Sequence, residues 1–533
     1  MGADIGAVME VLGLDANPVR SRGRLSASER LTALVECAEL FHAPDGRAYA
    51  TITVDEHSET WPVRSKRFRG WLGRAYFDAT KKAAPGQAMT EALALAEARA
   101  LVGEPHPVHM RVAEVGGRIY LDLADERWRV VEVDAAGWRV RDGAPIKFRR
   151  AAGMLAIPEP VSGGTVDELR PLVNIEDNRA WVLIVGWLVM ALSPRGPYPV
   201  LLLGGEHGAA KTWTANLLRG LVDPNEAPNR AEPREPRDLM IAARNGWVLA
   251  FDNLSDLSAW LSDGLCRLAT GSGFATRELY SDDDEVIFAA TRPVILNGIG
   301  EVVTRADLLD RSLVVTLNAI AEDRRRDERE LLHAFAAARP RVLGALLDAV
   351  SGALRERDHV RLARAPRLAD FAQWVTAAEP ALGWPSGTFM AAYDVNRADV
   401  YELALDASAI APPLRSLIAE AGSWAGTASE LLTALTGRVE ETARRGREWP
   451  ASARALSGAV RRLAPNLRAV GVDVEFDRAT DAGRRRIIRI RKTRSATVQT
   501  VQIVRARPSA PDGADGSDDE PVALNVATDE GEL

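Results

Sequence analysis

A glycine-rich turn at residues 204–212 carries the residue types that can hold a chain of phosphates. It reads GGEHGAAKT, follows the apolar run 199–203 and precedes a helix-like segment at 213–221. Glycines let successive backbone N–H groups turn toward phosphate oxygens, and the N-terminus of the following helix adds partial positive charge. In such a turn the Lys211 amine reaches the outer phosphates and the Thr212 hydroxyl binds Mg²⁺. The sequence therefore predicts a strand, a phosphate loop and a helix.

The predicted nucleotide contacts lie in this loop and at the start of the helix. They are Gly205, Glu206, His207, Gly208, Ala209, Ala210, Lys211, Thr212 and Trp213. Ala210 stands where the motif usually has glycine, and its methyl group is small enough for the loop to keep its shape. The chain has six lysines among 67 basic residues, which argues against a chance lysine at position 211. The alternative is a glycine-rich turn in an ordinary α/β domain.

Two further apolar runs end in polar residues that complete a nucleotide site. The first ends in Asp252 and Asn253, and the second ends in Asn297. Asp252 is the predicted second anchor for Mg²⁺, on a strand beside the phosphate-loop strand, and Asn297 is predicted to touch the terminal phosphate and the attacking water. We expect Lys211, Asp252 and Asn297 to converge from adjacent parallel strands on one hollow of triphosphate size. In isolation, the Asp-Asn pair is also typical of a simple turn.

Asn253 leaves the rate of the predicted hydrolysis open. It occupies the place where many ATPases have a glutamate that activates the attacking water, and an amide cannot accept a proton. Either Asn253 orients the water while Asp256 or another acid serves as the base, or hydrolysis is slow.

Two arginines six residues apart, Arg305 and Arg311, precede the apolar run 313–317. An arginine that reaches the nucleotide of a neighbouring subunit stabilises charge in the transition state of phosphoryl transfer, and Arg305 is the candidate. The alternative for either residue is a salt bridge with Asp307 or Asp310, and for Arg311 we prefer that structural role.

Together these motifs resemble the AAA+ core of superfamily 3 helicases, of the phage, plasmid and poxvirus type that is fused to primases or works beside them. The resemblance rests on the phosphate loop, Asp252, GSGFATRELY at 271–280, ILN at 295–297 and RADLLDR at 305–311, and it covers about residues 165–345. It implies ATP and Mg²⁺ as cofactors and a ring hexamer. It also implies a DNA-gripping hairpin before the third strand, around Arg277. The acidic run 282–285 beside that hairpin disagrees with direct phosphate contact.

The C-terminal region has the charge pattern of a nucleic-acid binder followed by an acidic tail. Residues 427–494 hold 16 Lys/Arg against 8 Asp/Glu, whereas residues 495–533 hold 2 against 8. Two helices and a hairpin are predicted, with Pro450 near the first position of the second helix, and this order is typical of a winged helix. Its predicted DNA contacts are Arg454, Arg461, Arg462, Arg484, Arg485 and Arg486. The alternative is a winged helix that contacts protein.

The 533 residues are too many for one core, so we predict a multi-domain chain. Its parts are a flexible N-terminus (1–30), an α+β N-terminal domain (31–160), an α/β P-loop (AAA+) ATPase core (165–340), a helical lid (341–410), a winged helix (411–494) and a disordered acidic tail (495–533). A helix-like stretch at 29–43 opens the N-terminal domain, and the alternating runs 118–123 and 128–140 predict a β-meander. Capping boxes of Thr165 with Glu168 and of Thr427 with Glu430 predict the starts of two helices. In the helical region after the core, Arg325, Arg326 and Arg367 are candidates to approach phosphates, although exposed helix charges are commoner. Basic and aromatic residues alternate at 60–77, which fits either nucleic-acid binding or an amphipathic helix with its aromatics turned to the core.

Cysteine use and hydropathy set the expected compartment. Cys37 and Cys266 are isolated from one another, which fits neither a disulfide framework nor a zinc site and favours the cytoplasm. The apolar run 180–192 is too short to span a membrane, so a buried helix is predicted there and no membrane partner.

The preferred functional hypothesis is an ATP-dependent DNA helicase or translocase of replication, from a phage or other mobile element. It would act as a homo-oligomeric ring with DNA and a primase or other replication partner. The alternative is an ATP-binding initiator or regulator that binds DNA and switches on nucleotide binding with little hydrolysis, which Asn253 keeps open. A small-molecule kinase is a third possibility, disfavoured by the basic C-terminal module.

Overall fold

The structure, a computed structural model, describes residues 25–254, 257–271, 274–277, 285–288, 290–298, 305–446, 449–478 and 486–493. Of the segments 274–277 and 285–288 only the backbone is described. The predicted acidic tail, Asp256, Arg484 and Arg485 lie outside the described residues. Within the described ranges, none of the helices combines the length and the apolar character that crossing a membrane requires.

The N-terminal region packs three helices against a three-stranded antiparallel sheet. The elements are α1 (Ala27–Val35), β1 (Glu39–His42), β2 (Ala48–Val54), β3 (His57–Pro62), α2 (Lys66–Thr80) and α3 (Gly86–Val102). Phe68 and Leu72 of α2 are fully buried against Leu31 of α1. The aromatic and basic stretch therefore forms an amphipathic helix with Phe68 and Tyr76 turned inward, although Phe77 is 50% exposed and Trp61 lies in β3 instead.

The predicted helix at 29–43 is wrong in its second half. The helix ends at Val35, and residues 39–42 form β1, which pairs antiparallel with β2. A turn at Asp45 and Gly46, with Gly46 at φ +77°, returns the chain between the two strands. Asp-Gly turns favour such a hairpin, so this local pairing overrides the helical spacing.

A four-stranded antiparallel meander follows, as predicted from the alternating sequence. Its strands are β5 (Val112–Val115), β6 (Arg118–Asp122), β7 (Arg129–Asp134) and β8 (Gly137–Asp142), and beside it β4 (Val108–His109) pairs with β9 (Lys147–Phe148). One face of the meander joins the large core that also contains the central sheet and its helices. Residues 108–148 therefore pack directly on the region that follows them.

The central sheet has four parallel strands in the order β11, β14, β10, β15. They span β10 (Val200–Gly205), β11 (Leu249–Leu254), β14 (Val294–Gly298) and β15 (Ser312–Leu317). Alternate residues face two separate cores, with Leu201 on one side and Leu202 on the other. Burial on both faces is typical of parallel strands and explains their continuous apolar runs.

Helices cover both faces of this sheet. They are α4 (Asn178–Ala191), α5 (Lys211–Val222), α6 (Pro236–Asn245), α7 (Ala259–Thr270) and the short α8 (Ala306–Leu309). Residues 180–191 of α4 are all buried, as the sequence predicted. The predicted capping box at Thr165 and Glu168 is also present, but it opens a 3₁₀ helix (Val166–Leu172), because Pro171 cannot donate an α-helical hydrogen bond.

The structure corrects the predicted neighbour of the phosphate-loop strand. The strand of Asp252, β11, does not lie beside β10, because β14 lies between them. The order arises from the long connection after β11, which runs through α7 and the hairpin of β12 (Phe274–Arg277) and β13 (Glu285–Phe288). That hairpin agrees with the sequence prediction.

Three long helices pack beside the sheet: α9 (Glu328–Glu356), α10 (Ala369–Ala378) and α11 (Thr388–Asp406). The linker at 161–164 crosses α9 closely, since a Cβ at Gly344 would lie 2.0 Å from the Val161 carbonyl oxygen. The predicted domain boundary at 340 falls inside α9.

The C-terminal unit has a core of its own. Its elements are α12 (Ala411–Ala421), β16 (Ser423–Gly426), α13 (Ala428–Thr436), α14 (Glu441–Arg444), α15 (Ala453–Ala469), β17 (Val472–Arg478) and β18 (Arg486–Lys492), with strand order β16, β18, β17. The predicted capping box at Thr427 and Glu430 opens α13. The prediction for Pro450 is wrong, because Ser452 caps α15 and its side chain accepts from the Ala455 amide.

Candidate nucleotide site and basic C-terminal surface

The loop between β10 and α5 depends on backbone positions that disfavour side chains. Gly205 has φ +138°, and a Cβ there would lie 2.4 Å from the carbonyl oxygen of Leu317 on β15. Gly208 has φ +79°, and Ala210 has φ +61° as the N-cap of α5. A left-handed residue other than glycine costs about 1–2 kcal/mol. This left-handed conformation explains why the motif usually has glycine at position 210. In this chain Ala210 adopts it with the corresponding strain.

Lys211 holds the loop closed on itself. Its Nζ donates to the carbonyl oxygens of Gly205 (2.7 Å) and Glu206 (2.8 Å). The ammonium group therefore lies inside the curve of the loop, where its charge faces the same space as the loop amides.

The two predicted magnesium ligands lie next to each other. Thr212 Oγ1 of α5 donates to Asp252 Oδ1 over 3.2 Å, although β10, the strand before α5, is separated from β11 by β14. In the described part of the chain no three His, Cys, Asp or Glu side chains form a metal-binding group. A hydroxyl with a single carboxylate suits Mg²⁺ that takes its remaining ligands from phosphates and water.

Asn297 fixes the backbone beside this pair. Its Oδ1 accepts from the Asn253 amide over 3.0 Å, and the residue is 1% exposed. Its Nδ2 is buried and has no hydrogen-bond partner among the described residues. An unmade buried hydrogen bond costs about 1–3 kcal/mol, so this donor marks a place where a ligand or water would be stabilising. Asn253 is exposed and adopts φ +56°.

Two side chains from distant parts of the chain also lie at the loop: Asn174, which sequence reasoning did not assign to the site, and Arg325, which it gave as a candidate to approach phosphates. Asn174 Nδ2 donates to the carbonyl oxygens of Ala209 (3.2 Å) and Asn318 (2.6 Å). A Cβ placed on Gly208 would lie 3.7 Å from Nη2 of Arg325, so this guanidinium lies over the exposed part of the loop. No local motif marks Asn174, because it approaches the loop from a distant part of the chain.

The remaining predicted loop residues divide by exposure. Glu206, His207 and Gly208 are exposed, whereas Ala209 is buried. Trp213 is half-buried, and its Nε1 donates to the Leu172 carbonyl oxygen over 2.8 Å. Trp213 therefore anchors the start of α5 to the preceding 3₁₀ helix.

The two arginines near β15 have carboxylate partners within the chain. Arg311 pairs with Asp307, the structural role that we preferred. Arg305 instead pairs with Asp263 of α7 (3.0 Å) and donates to the Ala259 carbonyl oxygen (3.0 Å), so its partner is neither of the two acids considered from the sequence. Of Arg277, only the backbone is described.

The basic C-terminal surface lies on α15. Arg454, Arg461 and Arg462 are all exposed, and their spacing of seven and eight residues places them along one face of the helix. The Arg461 guanidinium lies 4.1 Å from the centroid of the Phe476 ring, which holds it against β17. Arg486, at the start of β18, is exposed as well.

The fold and these contacts define a multidomain α/β protein in which a glycine loop, a hydroxyl and a carboxylate meet at the carboxyl end of a parallel sheet. Residues 166–403 match the family described as actinomycete integrative conjugative element replication protein. Residues 410–507 match the AICE RepA C-terminal domain. Over these two regions, which make up more than half of the chain, the protein belongs to this replication-protein family of a mobile element. No curated protein matches the chain.

Solved structures give only distant similarities. The A form apo structure of the NrS-1 C terminal region is 10% identical, with 88% of this chain and 99% of that chain covered at a TM-score of 0.36. The apo structure of NrS-1 residues 305-718 is 11% identical, with 88% and 100% covered at 0.37. JCV helicase bound to an acetamide compound is 13% identical, with 42% and 70% covered at 0.22. Such TM-scores are too low to identify a shared function.

Proposed function

We propose that this replication protein is an ATP-driven DNA translocase or helicase that works as a ring. The observation that carries the proposal is the meeting of Thr212 and Asp252 beside the loop that Lys211 closes. These oxygen ligands come from opposite ends of a 40-residue interval, so a chance turn does not account for them. We also propose that the chain is of the superfamily 3 type, that the loop at 204–212 works as a P-loop and that the C-terminal unit is a winged helix.

The site residues fit ATP with Mg²⁺. The Thr212 hydroxyl and the Asp252 carboxylate would hold the metal, and the loop amides with Lys211 would hold the phosphates. Gly205 and Gly208 leave space that a side chain would fill, and Asn297 has a free buried donor. When bound, Mg²⁺ neutralises charge on the phosphate oxygens.

Each side chain then has a definable task. Lys211 places a positive charge against the outer phosphates, and Asn297 keeps Asn253 in position while its Nδ2 can donate to a phosphate oxygen or to water. Arg305, freed from Asp263, would serve the site of a neighbouring copy in a ring. The Asn253 amide can orient the attacking water but cannot accept its proton, so a carboxylate of another residue must act as the base.

The second candidate function is an ATP-binding initiator or regulator, favoured by the amide at Asn253. ATP hydrolysis and ATP binding, measured with and without forked DNA, separate the two. DNA-stimulated turnover supports the motor. Tight ATP binding without turnover on any DNA supports the switch, and absence of both contradicts a nucleotide site.

Arg325→Ala is expected to weaken ATP binding about tenfold, because a charge-assisted hydrogen bond contributes about 1.5–3 kcal/mol. Among the described residues the Arg325 side chain has no partner, whereas its neighbours Arg324 and Arg326 pair with Glu176 and Glu330. The measurement is the Kd for ATP by fluorescence or calorimetry.

Arg326→Ala is the matched control, since it removes the same charge from the next residue. We expect it to leave the Kd within about twofold, because exposed ion pairs contribute little. Equal effects of the two substitutions would contradict a specific role for Arg325.

For the C-terminal surface, Arg461→Ala with Arg462→Ala is expected to weaken duplex DNA binding at low salt. The slope of log K against log salt should fall by about 1 for each lost phosphate contact. Fluorescence anisotropy over a salt series measures both quantities.

Arg489→Ala with Arg491→Ala is the control for that pair. It also removes two charges from the same unit, but Arg489 pairs with Asp477, and Arg491 pairs with Asp473 and Glu475. If both double variants reduce affinity equally, the face of α15 is not the DNA surface. Thermal melting checks that loss of the Arg461 contact to Phe476 leaves the unit folded.

A further inference from the structure

Two clefts of the same volume, about 1110 Å³ each, border the N-terminal region and have opposite charge. The first, between β2 and β9, is lined by seven carboxylates and two basic side chains. The second is bordered by the turn that precedes β2, by β4 and by residues of the core. It is lined by five arginines and two carboxylates. The arginines of this second cleft, here called the basic cleft, are Arg47, Arg149, Arg195, Arg244 and Arg292.

The carboxylates of the basic cleft neutralise only its outer arginines. Arg195 pairs with Glu114 (2.8 Å), and Arg47 pairs with Asp45 (3.5 Å). Neither Arg149 nor Arg292 has a carboxylate within ion-pair distance among the described residues.

Backbone carbonyls hold the inner guanidinium groups instead. Arg292 Nε donates to the carbonyl oxygens of Ala243 (3.0 Å) and Gly246 (3.2 Å), and Arg149 donates to the carbonyl oxygen of Arg244. Carbonyl dipoles orient a guanidinium without cancelling its charge. At Arg149 and Arg292 the basic cleft therefore keeps positive charge that is fixed in position and forms no ion pair with a carboxylate of the described residues.

Burial shows that this charge is held at an energetic cost. Burial lowers the pKa of Arg149, and it lowers the pKa of Arg292 to about 10, which leaves Arg292 charged at neutral pH. Burial and the nearby Arg292 also lower the pKa of His109, which favours its neutral form. An anion in the cleft would relieve the repulsion among these arginines.

We propose that the basic cleft binds the phosphodiester backbone of a single nucleic-acid strand. Pockets for small ligands measure about 300–1,000 Å³, so a cleft of about 1110 Å³ has room for one to a few nucleotides but not for a duplex. Residues 290–292 line it directly after β13, so it adjoins the base of the β12 and β13 hairpin. That the strand is DNA rests on the proposed function. That the basic cleft binds phosphates does not rest on it.

The test uses the full-length protein without nucleotide and a labelled oligothymidylate of about 12 nucleotides, followed by anisotropy at about 50 mM salt. Arg47→Ala with Arg149→Ala is expected to weaken binding about tenfold and to lower the salt slope by about 1.4, since each contact to a single strand contributes about 0.7. Arg149→Lys, which keeps the charge, should retain most of the affinity.

Arg127→Ala with Arg141→Ala is the matched control. It also removes two charges, from residues paired with Asp142 and Glu132 outside the basic cleft. Equal affinity of the two double variants overturns the proposal. So does an Arg149→Lys variant that binds as weakly as the double variant Arg47→Ala with Arg149→Ala while its melting temperature is unchanged.

Two further arms identify the ligand and the site. Displacement of the strand by pyrophosphate at micromolar concentration would show that free polyphosphate is the ligand and would overturn the proposal. Displacement of the strand only by raised ionic strength supports the proposal. Combining the cleft substitutions with Arg461→Ala and Arg462→Ala should multiply the two losses if one strand contacts both surfaces, whereas each pair should weaken only its own binding event if the two surfaces bind strands separately. Because no ATP is present, failure here is independent of failure of the ATPase.

Discussion

Lys211→Ala is expected to abolish ATP turnover, with kcat lowered by at least about 10²-fold. The loss follows from removing a positioned cation that faces the phosphates, and deleting one such donor commonly costs 10²–10³ in rate. The substitution also removes the two hydrogen bonds from Nζ to the loop carbonyl oxygens, so the affinity for ATP should fall as well. Phosphate release and the Kd for ATP are therefore both measured, with and without DNA.

Lys66→Ala is the matched control for this variant. Lys66 and Lys211 are each the first residue of a helix, α2 and α5, but Lys66 is exposed and far from the glycine loop in sequence. We expect Lys66→Ala to turn over ATP at the wild-type rate. Turnover by Lys211→Ala at that same rate would contradict the nucleotide site altogether. If the wild-type chain binds ATP without turnover, the effect of Lys211→Ala appears only in the Kd, and the switch is the better description.

The strand ends of the candidate site could be predicted because each is marked locally. An apolar run that stops at the glycine loop before Lys211, at Asp252 or at Asn297 places a polar residue at the edge of a parallel sheet, where such ends meet. The hydrogen bond from Thr212 to Asp252 and that from Asn253 to Asn297 bring these positions together in the structure. What the three side chains do with ATP is still a prediction.

The order of the strands could not be predicted, because it is set by long connections. No local pattern indicates that β14 enters between β10 and β11. The same limit applies to Asn174, which reaches the loop from 35 residues away in the chain. It also applies to the pairing of Arg305 with Asp263. From the sequence, only acids close to Arg305 in the chain could be proposed as its partner, whereas tertiary packing places Asp263 beside it.

The basic cleft illustrates the same point for charge. Its arginines come from five separate segments, so the sequence shows them only as scattered residues in an acidic chain of net charge −7. The C-terminal excess of arginine was visible because it is contiguous. Local charge density can be read from a sequence, whereas charge that folding assembles cannot.

Arg111→Met is expected to lower the free energy of unfolding by about 3–5 kcal/mol, the usual result of breaking a buried ion pair. Arg111 precedes β5, and its Nε lies 3.0 Å from Asp223 Oδ1 just after α5, with both side chains almost fully buried. Its other nitrogens donate to the carbonyl oxygens of Asp122 (3.0 Å) and Leu155 (2.9 Å). This one side chain therefore ties the meander to the end of the helix that Lys211 begins.

The size of that effect depends on the carboxylate that the substitution leaves behind. Asp223 Oδ2 also accepts from the amides of Trp247 (2.9 Å) and Val248 (3.1 Å), so the charge remains in place when Arg111 is gone. Adding Asp223→Asn should therefore recover part of the loss, because it removes the uncompensated charge and keeps an oxygen that can accept from the amides. Arg127→Met, which breaks an exposed pair with Asp142, should change stability by less than about 1 kcal/mol. Urea unfolding followed by tryptophan fluorescence measures these differences. A loss for Arg111→Met no larger than that for Arg127→Met would mean that the meander and the sheet are held together by their shared apolar core alone.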